Sequence, residues 1–358
     1  MKIVRVRYIC IVGLLLVAVV LLDKKLQPAS PPSTYRVVDL GTLEQAIGGI
    51  VRGPNTADEV AGGAVTSGSG IRAFLLTTKQ FEKIEGLPGT DWSSFHAVND
   101  QGTVVGSSNT ASSVRAFRWT RKGGIRDLGA LPGDSGSEAF GINNHNEVVG
   151  HSSGPRGVEA VLWRSDGKIQ RLGRLIDGDH SRAFAINERG DVVGKSGGSR
   201  GSRAFLWTRS EGMQDLGTLP GDTNSEAFGI NSQGEVVGYS NGPGGSRAFL
   251  LTPGKGMESL GTLPGGDSSR ALSINDRGEV VGSSESSRGL RASLWTRSAG
   301  IRDLNALITD ESDFVLFEAA GVNNRGTILA LGRDKNERGE AHAYHEFPTR
   351  VFLLVPSP

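Results

Sequence analysis

The sequence predicts an all-β fold: a seven-bladed β-propeller of four-stranded blades, closed by an N-terminal strand that completes the last blade and preceded by an N-terminal apolar signal or anchor helix. Three observations predict it. One motif recurs seven times, mostly 44 residues apart; each repeat has room for four short strands and no helix; and the two ends of the repeated region each match a different part of one repeat.

The repeated motif is clearest at residues 225–238, where Ser-Glu-Ala-Phe-Gly-Ile-Asn is followed by Ser-Gln-Gly and Glu-Val-Val-Gly. Its asparagine, here called the marker asparagine, fixes the register of every copy. Five successive intervals are 44 residues and the sixth is 48; the markers are Asn55, Asn99, Asn143, Asn187, Asn231, Asn275 and Asn323. A period of this length is the signature of a repeat architecture.

Composition limits the classes of partner. The chain has 52 glycines, but the strict phasing of Val, Ile, Phe and Trp argues against disorder and favours short strands joined by glycine-rich turns. With 39 Lys and Arg against 38 Asp and Glu, there is no sign of a basic face, so no nucleic-acid partner is predicted. The single cysteine, Cys10, leaves no disulfide or cysteine metal site for the repeats.

The N-terminus has the outline of an export signal. Lys2, Arg5 and Arg7 precede an apolar run over residues 8–22, and Asp23-Lys24-Lys25 ends it. The lysines and the lack of a small-x-small cleavage site favour an uncleaved membrane anchor over a removed signal peptide; a buried N-terminal helix is a third alternative. We therefore expect residues 1–25 to be a signal segment, 26–34 a Pro/Ser linker and 35–358 the propeller, located outside the cytoplasm.

Each repeat begins with a predicted hairpin. The residue three positions after every marker is Gly, Asn or Asp, which tolerates a positive φ, as a type I turn with a G1 bulge requires. The marker asparagine is expected to hydrogen-bond its own turn. Residues 203–208 represent the third strand and Gly212 to Leu219 the fourth, which ends in a Pro-Gly turn at Pro220-Gly221.

The two chain ends predict how the ring closes. Residues 35–41 match the fourth strand, whereas residues 350–356 match the third-strand stretch 247–253 at five of seven positions. The N-terminal strand would then complete the last blade and remove two open sheet edges. In a competing alignment, His342-Ala343-Tyr344 is the last third strand and residues 350–355 are the fourth; a linear β-solenoid is the rival architecture.

The recurring motifs Ala-Phe-Gly-Ile-Asn, Gly-Glu-Val-Val-Gly, Arg-Ala-Phe-Leu-Trp and Asp-Leu-Gly-Thr-Leu-Pro-Gly resemble the HAF repeat, a family of bacterial extracellular repeats, over residues 35–358. The resemblance implies an exported protein and no established activity. The histidine that names the family survives only at His342. Its other equivalents are Arg72, Arg115, Glu159, Arg203, Arg247, Arg291 and Arg350.

Candidate binding residues lie five positions before the markers, where propellers place their channel-lining strand. They are Ser94, Glu138, Arg182, Glu226, Arg270 and Glu318, and from Glu138 onward they alternate in sign. We expect neighbouring blades to pair these charges in a ring that fixes blade order; the alternative is a polar channel mouth that grips an anionic or sugar ligand.

Tryptophans supply a second set of candidates. Trp119, Trp163, Trp207 and Trp295 share one repeat position with Leu76 and Leu251, which predicts packing between blades; a sugar-stacking platform is the alternative. Trp92 lies outside that register and is the candidate exposed aromatic.

No cofactor and no catalytic set is predicted. His342 to Glu346 has only a weak resemblance to a metal site, and no Ser/His/Asp or Cys/His constellation can be nominated.

The sequence favours an exported, non-catalytic binding or scaffolding module at the cell envelope, with a protein or carbohydrate partner. The alternative is a glycan-binding or glycan-active propeller with its site at the channel mouth. Irregular segments at Thr42 to Pro54, Thr309 to Phe317 and Ala330 to Thr349 are expected to adjoin and to hold any specialised site.

Overall fold

The computed structural model describes residues 34–43, 51–66, 70–77, 80–90, 92–110, 112–199, 201–309, 312–335 and 349–357, and within them 28 strands form seven antiparallel sheets of four strands. Neighbouring sheets share buried apolar clusters, and blade 7 packs against blade 1 through Leu353 and Phe74. The predicted seven-bladed propeller is confirmed. Residues 1–33, with the predicted signal segment, lie outside the described residues; among the described ones, no helix is long and apolar enough to cross a membrane.

The strands follow the repeat along the chain. The N-terminal strand β1 is Tyr35–Leu43. Blades 1 and 2 contain β2 (Val51–Arg52), β3 (Val60–Thr66), β4 (Gly70–Leu76), β5 (Phe81–Ile84), β6 (Ser93–Val98), β7 (Val104–Asn109), β8 (Val114–Thr120) and β9 (Gly124–Asp127). Blades 3 and 4 contain β10 (Gly136–Ile142), β11 (Val148–Gly154), β12 (Gly157–Trp163), β13 (Ile169–Gly173), β14 (His180–Ile186), β15 (Val192–Gly198), β16 (Gly201–Thr208) and β17 (Gly212–Asp215).

Blades 5 and 6 contain β18 (Asn224–Ile230), β19 (Val236–Gly242), β20 (Gly245–Thr252), β21 (Gly256–Ser259), β22 (Ser269–Ile274), β23 (Val280–Ser284), β24 (Arg291–Thr296) and β25 (Gly300–Asp303), followed by a 3-10 turn at Leu304–Ala306. Blade 7 contains β26 (Phe314–Val322), β27 (Ile328–Asp334) and β28 (Thr349–Pro356).

The N-terminal strand closes the ring as expected. Blade 7 has the order β1-β28-β27-β26, with Val38 opposite Leu353, so β28 is its third strand and β1 its fourth. The competing alignment, in which residues 350–355 are the fourth strand, is wrong. Tyr35 fastens this strand to blade 6: its side chain is fully buried beside Leu294 and Leu304, and its backbone N–H donates to the Leu307 carbonyl at 2.7 Å.

The hairpin turns are as predicted. The third residue after each marker has a positive φ in all seven copies, including the two that are not glycine, Asp58 (60°) and Asn146 (59°). Each marker Oδ1 accepts the backbone N–H groups two and four residues later at 2.9 to 3.1 Å.

The fourth strands are shorter than predicted. β17 ends at Asp215, not at Leu219, because Gly217 has a φ of 74° and turns the chain inward. Leu219 is then buried against the next blade, and its N–H donates to Ser240 Oγ at 3.0 Å. The residues that continue the strand pattern in sequence therefore serve as interblade packing.

The repeated tryptophans pack as predicted. Trp119, Trp163 and Trp207 are at most 8% exposed, and Trp207 lies in an apolar cluster with residues of the preceding blade such as Leu162. Trp295 packs against the corresponding cluster of blades 5 and 6. The burial of Trp119, Trp163 and Trp207 leaves no ring face on which a sugar could stack, and Trp295 is half-buried.

Candidate functional site

A ring of asparagines surrounds one end of the central channel. Each marker Nδ2 donates to the backbone carbonyl of the marker in the next blade at 2.8 to 3.2 Å, and Asn323 donates to Asn55, so the ring has seven members and no gap. We call it the asparagine ring. Sequence reasoning gave the marker only a local role in its turn. The missed signal was that every copy is Asn, since its amide has an oxygen that accepts in the turn and two N–H groups, one of which donates across a blade boundary.

The second Nδ2 proton also has a partner. In five blades it is a carboxylate four residues after the marker, at 2.6 to 3.1 Å. Blades 2 and 7 have Thr103 and Thr327 at that position. There the oxygen comes from the following blade: Asn146 Oδ1 lies 3.3 Å from Asn99 Nδ2, and Asp58 Oδ1 lies 3.1 Å from Asn323 Nδ2. The two non-glycine turn residues thus occur where the neighbouring blade lacks its own carboxylate.

Polar side chains cover the outside of the asparagine ring, around a cavity of about 280 Å³. They follow the markers directly, and several accept the backbone N–H of the preceding blade; Asp100 Oδ1 accepts from Thr56 at 2.8 Å and Asp276 Oδ1 accepts from Ser232 at 2.8 Å. Burial alone would raise the pKa of Asp100, but hydrogen bonds from Thr56 and Asn144 outweigh burial and lower it. The described residues include no group of His, Cys, Asp and Glu suited to a metal ion.

Inside the ring lies an asymmetric cavity of about 410 Å³. One side is an aromatic wall formed by the residues three positions before the markers of blades 2 to 5: His96, Phe140, Phe184 and Phe228. The rings of Phe184 and Phe228 stack with centroids 5.2 Å apart. The opposite side is lined by small residues, Gly53, Ala320 and Gly321. A flat ligand could therefore lie against the wall.

The predicted channel charges lie two residues before this wall on the same strands. We call Glu138, Arg182, Glu226, Arg270 and Glu318 the charged belt. A β-bulge between the two positions interrupts the alternation of these strands, so contacts show the shared face in blade 3: His151 lies 3.7 Å from Glu138 Oε1 and stacks on Phe140 with centroids 5.6 Å apart.

The belt charges do not form the expected chain of Glu–Arg ion pairs. Glu226 Oε1 instead binds Lys195 Nζ at 2.8 Å, since Lys195 lies directly opposite Arg182 on the adjacent strand. Arg270 lies 5.0 Å from the ring centroid of Tyr239 and is exposed. Arg182 Nε is buried without a hydrogen-bond partner among the described residues. The second strand of each blade thus supplies partners of the belt charges, such as Lys195 and Tyr239. The spacing of residues along the first strand alone could not predict these partners.

Burial sets the protonation of three groups at the belt. It lowers the pKa of His151 to about 4, with nearby Arg182 adding to the effect. Burial raises the pKa of Glu138, and Arg182 partly opposes that shift. Burial, followed by the charge of Glu226, raises the pKa of Tyr239 to about 12. At neutral pH the imidazole and the phenol are therefore uncharged.

None of the belt residues is among those that line the cavity, and the remaining candidates do not line it either. Trp92 is half-buried and is not one of the residues lining it. Glu318 lies opposite Leu331, away from the aromatic wall in blades 2 to 5. The cluster at residues 342–346 lies outside the described residues, as does much of the irregular first-blade segment. Where these segments are described, the two of the last blade adjoin, since Leu316 lies opposite Gly332, and β2 of the first-blade segment contacts β26.

No protein-family model matches the sequence, and no curated protein matches it either. Solved structures with a similar fold include a streptogramin B lyase (11% identity, TM-score 0.56, covering 91% of this chain and 100% of that chain). A virginiamycin B lyase from Staphylococcus aureus is similar at 13% identity and TM-score 0.57, covering 90% and 99%. An oligogalacturonate lyase in complex with manganese is similar at 10% identity and TM-score 0.58, covering 92% and 95%. At these identities the likeness establishes the β-propeller fold of the chain.

Proposed function

We propose that the protein is an exported, non-catalytic binding module at the cell envelope, and that its ligand enters the central channel past the charged belt. The observation that carries this proposal is the asymmetry of the channel. The aromatic wall occupies blades 2 to 5 and the charged belt blades 3 to 7, whereas the small residues Gly53, Ala320 and Gly321 face the wall. A scaffold that used only the outer surface would have no need for this difference, whereas a binding site does.

The ligand chemistry follows from the charged belt and the aromatic wall. Arg182 and Arg270 belong to no ion pair among the described residues, so an anionic group could bind them without displacing a partner. The aromatic wall below would contact a flat or ring-shaped body. An anionic ring compound, such as an acidic sugar oligomer, combines both features.

The protonation states support binding over catalysis. A general acid or base works best with a pKa near the working pH, but His151 and Tyr239 are shifted away from neutrality, to about 4 and about 12. Export rests on the N-terminal apolar run and on the resemblance to extracellular HAF repeats.

A glycan-active propeller is the second candidate. Glu138 favours it, because burial moves the pKa of its carboxyl toward neutrality, as a general acid requires. One propeller of similar fold is named for a lyase reaction on oligogalacturonate. Under this alternative, Glu138 would protonate the leaving group of an acidic glycan.

Calorimetric titration of the full chain with galacturonate oligomers, and with neutral galactose oligomers of the same length, tests both candidates. We expect the acidic oligomer alone to bind, and Arg182→Gln/Arg270→Gln to abolish binding. Arg288→Gln, which removes an exposed arginine of blade 6, is the charge control. Unchanged affinity in the double variant would contradict the binding proposal. Mass spectrometry of the same mixtures separates the candidates, since shortened products would establish catalysis.

A further inference from the structure

Blade 2 departs from the repeat at a position where every other blade is apolar. Arg118 lies in the middle of β8, and its equivalents are all leucine: Leu75, Leu162, Leu206, Leu250, Leu294 and Leu353. Five of these six leucines are at most 1% exposed, so the position normally belongs to the core. An arginine at this position lacks the stabilisation that the other blades obtain by burying a leucine side chain.

The surroundings of Arg118 increase its cost. Arg126 lies directly opposite on β9, and like charges directly opposite in a sheet are destabilising. Across the boundary with blade 3, Arg164 occupies a position that is threonine in five blades and valine in the other. The three arginines line one pocket of about 120 Å³ between blades 2 and 3.

The inner wall of this pocket contains an indole without a partner. Trp163 lines the pocket and is 2% exposed, and its buried Nε1–H has no hydrogen-bond partner in the part of the chain that the structure describes. A buried donor left without an acceptor costs free energy that a bound oxygen would recover. This observation is independent of the arginines and points to the same kind of ligand.

The acidic residues of the pocket are already engaged. Asp127 accepts from Arg115 Nε at 3.1 Å and from the Gly129 N–H at 2.7 Å. Asp166 lies 3.5 Å from Arg164 Nε and accepts the Lys168 N–H at 3.0 Å. Arg118 and Arg126 have no hydrogen-bond or ion-pair partner among the described residues, so the pocket holds uncompensated positive charge.

We propose that this pocket binds a small oxyanion, phosphate or sulfate, either free or as a terminal monoester. Arg118 and Arg126 supply planar, charged donors suited to such oxygens, and Trp163 Nε1–H supplies a neutral one. The site lies on the outer strands, away from the charged belt, so the proposal stands or falls independently of the channel function.

The test is calorimetric titration of the full chain with inorganic phosphate, with sulfate and with glycerol phosphate, against sodium chloride of equal ionic strength. We expect saturable binding of phosphate or sulfate. Arg118→Leu restores the repeat residue and should leave the chain at least as stable while weakening the affinity by about tenfold or more. Arg288→Leu, with the same change of charge on a loop of blade 6, should keep the wild-type affinity.

Trp163→Phe keeps the packing and removes only the donor. Among the indole N–H signals of the five tryptophans in a ¹⁵N spectrum, phosphate should shift one strongly, and that signal should be missing in Trp163→Phe. If glycerol phosphate binds as tightly as phosphate, the site accepts a terminal monoester; if only the inorganic ions bind, it takes the free ion. No saturable binding, or equal affinity in Arg118→Leu, would overturn the proposal.

Discussion

The two ends of the central channel are built on opposite principles. At one end, all seven blades contribute the same residue to the same contact, and the asparagine ring closes without a break. At the other end, the charged belt has Glu138, Arg182, Glu226 and Arg270 in successive blades. Glu138, Glu226 and Arg270 each contact a different side chain, and Arg182 Nε has no hydrogen-bond partner among the described residues. Uniform positions in a repeat protein hold the repeats together, so the positions that vary are where binding is to be sought.

The largest expected effect comes from breaking the uniform end. In Asn231→Ala, the N–H groups of Gln233 and Glu235 lose their acceptor, and the Asn275 carbonyl and the Glu235 carboxylate lose their donor. Since these groups are buried or half-buried, we expect a loss of about 3 kcal/mol or more in the free energy of unfolding. Urea unfolding followed by tryptophan fluorescence measures it.

Ser232→Ala is the control for this change, because the same hairpin is altered while the ring is kept. Asn231→Asp refines the comparison: it keeps the acceptor of the turn and loses the donor across the blade boundary. A loss below about 1 kcal/mol in Asn231→Ala would show that the ring adds no more than an ordinary hydrogen bond.

At the charged belt, we expect the stability of the fold to depend on pH through His151. The pKa of His151 falls from 6.5 to about 4 in the fold, so the unfolded chain binds the proton more tightly. The free energy of unfolding that comes from burying the neutral His151 is therefore fully present above pH 6.5 and is lost as the pH falls toward 4. For this side chain, which is 6% exposed, the loss between pH 6.5 and 4.5 is about 2 kcal/mol.

The measurement is the difference between the wild type and His151→Gln in urea unfolding across that range. The difference is needed because Glu138, whose pKa is raised, gains stability as the pH falls and offsets part of the loss. His145→Gln, which changes an exposed histidine on a turn of the same blade, is the control for the loss of a histidine side chain. If the wild type and His151→Gln lose stability in parallel, the His151 imidazole is solvated in the folded chain and the prediction is contradicted.

The sequence predicted the architecture because its signals are local and repeated. The positive φ three residues after each marker can be read from one hairpin, and the place of Tyr35 in blade 7 from the match of residues 35–41 to the fourth strands of other repeats. The site could be predicted only in part. The alternation of charge along residues 138, 182, 226 and 270 is visible, but Lys195, His151 and Tyr239 reach the belt from a second strand, and only pairing register shows this.

Some ion pairs recur in every second blade, and a comparison of single repeats did not predict them. Arg121, Arg209 and Arg297 of blades 2, 4 and 6 bind Glu59, Glu147 and Glu235 of the preceding odd blades. Each pair joins residues 62 apart, so neither a helix-like spacing nor one repeat length brings them together. The alternating signs in the belt belong to the same two-blade pattern, and an odd number of blades forces it to break where blade 7 meets blade 1.

The smallest expected effect tests how the uniform ring tolerates variation. If Asn146 serves the ring because Thr103 offers Asn99 no carboxylate, then Thr103→Glu should make Asn146 dispensable. Asn146→Gly should cost about 1 kcal/mol more in the wild type than in the Thr103→Glu background, since the amide of Asn99 then has the in-blade partner seen in five other blades. A double-mutant cycle in urea unfolding measures this coupling. Thr103→Val, which supplies no acceptor, is the matched control and should show no such rescue.

The φ of 59° at Asn146 is disfavoured for a non-glycine residue, so the glycine variant also gains backbone freedom, but this gain is the same in each background and cancels in the cycle. A coupling near zero would mean that Asn99 is satisfied without Asn146, and that the occurrence of Asn and Asp at just those two turns has another origin.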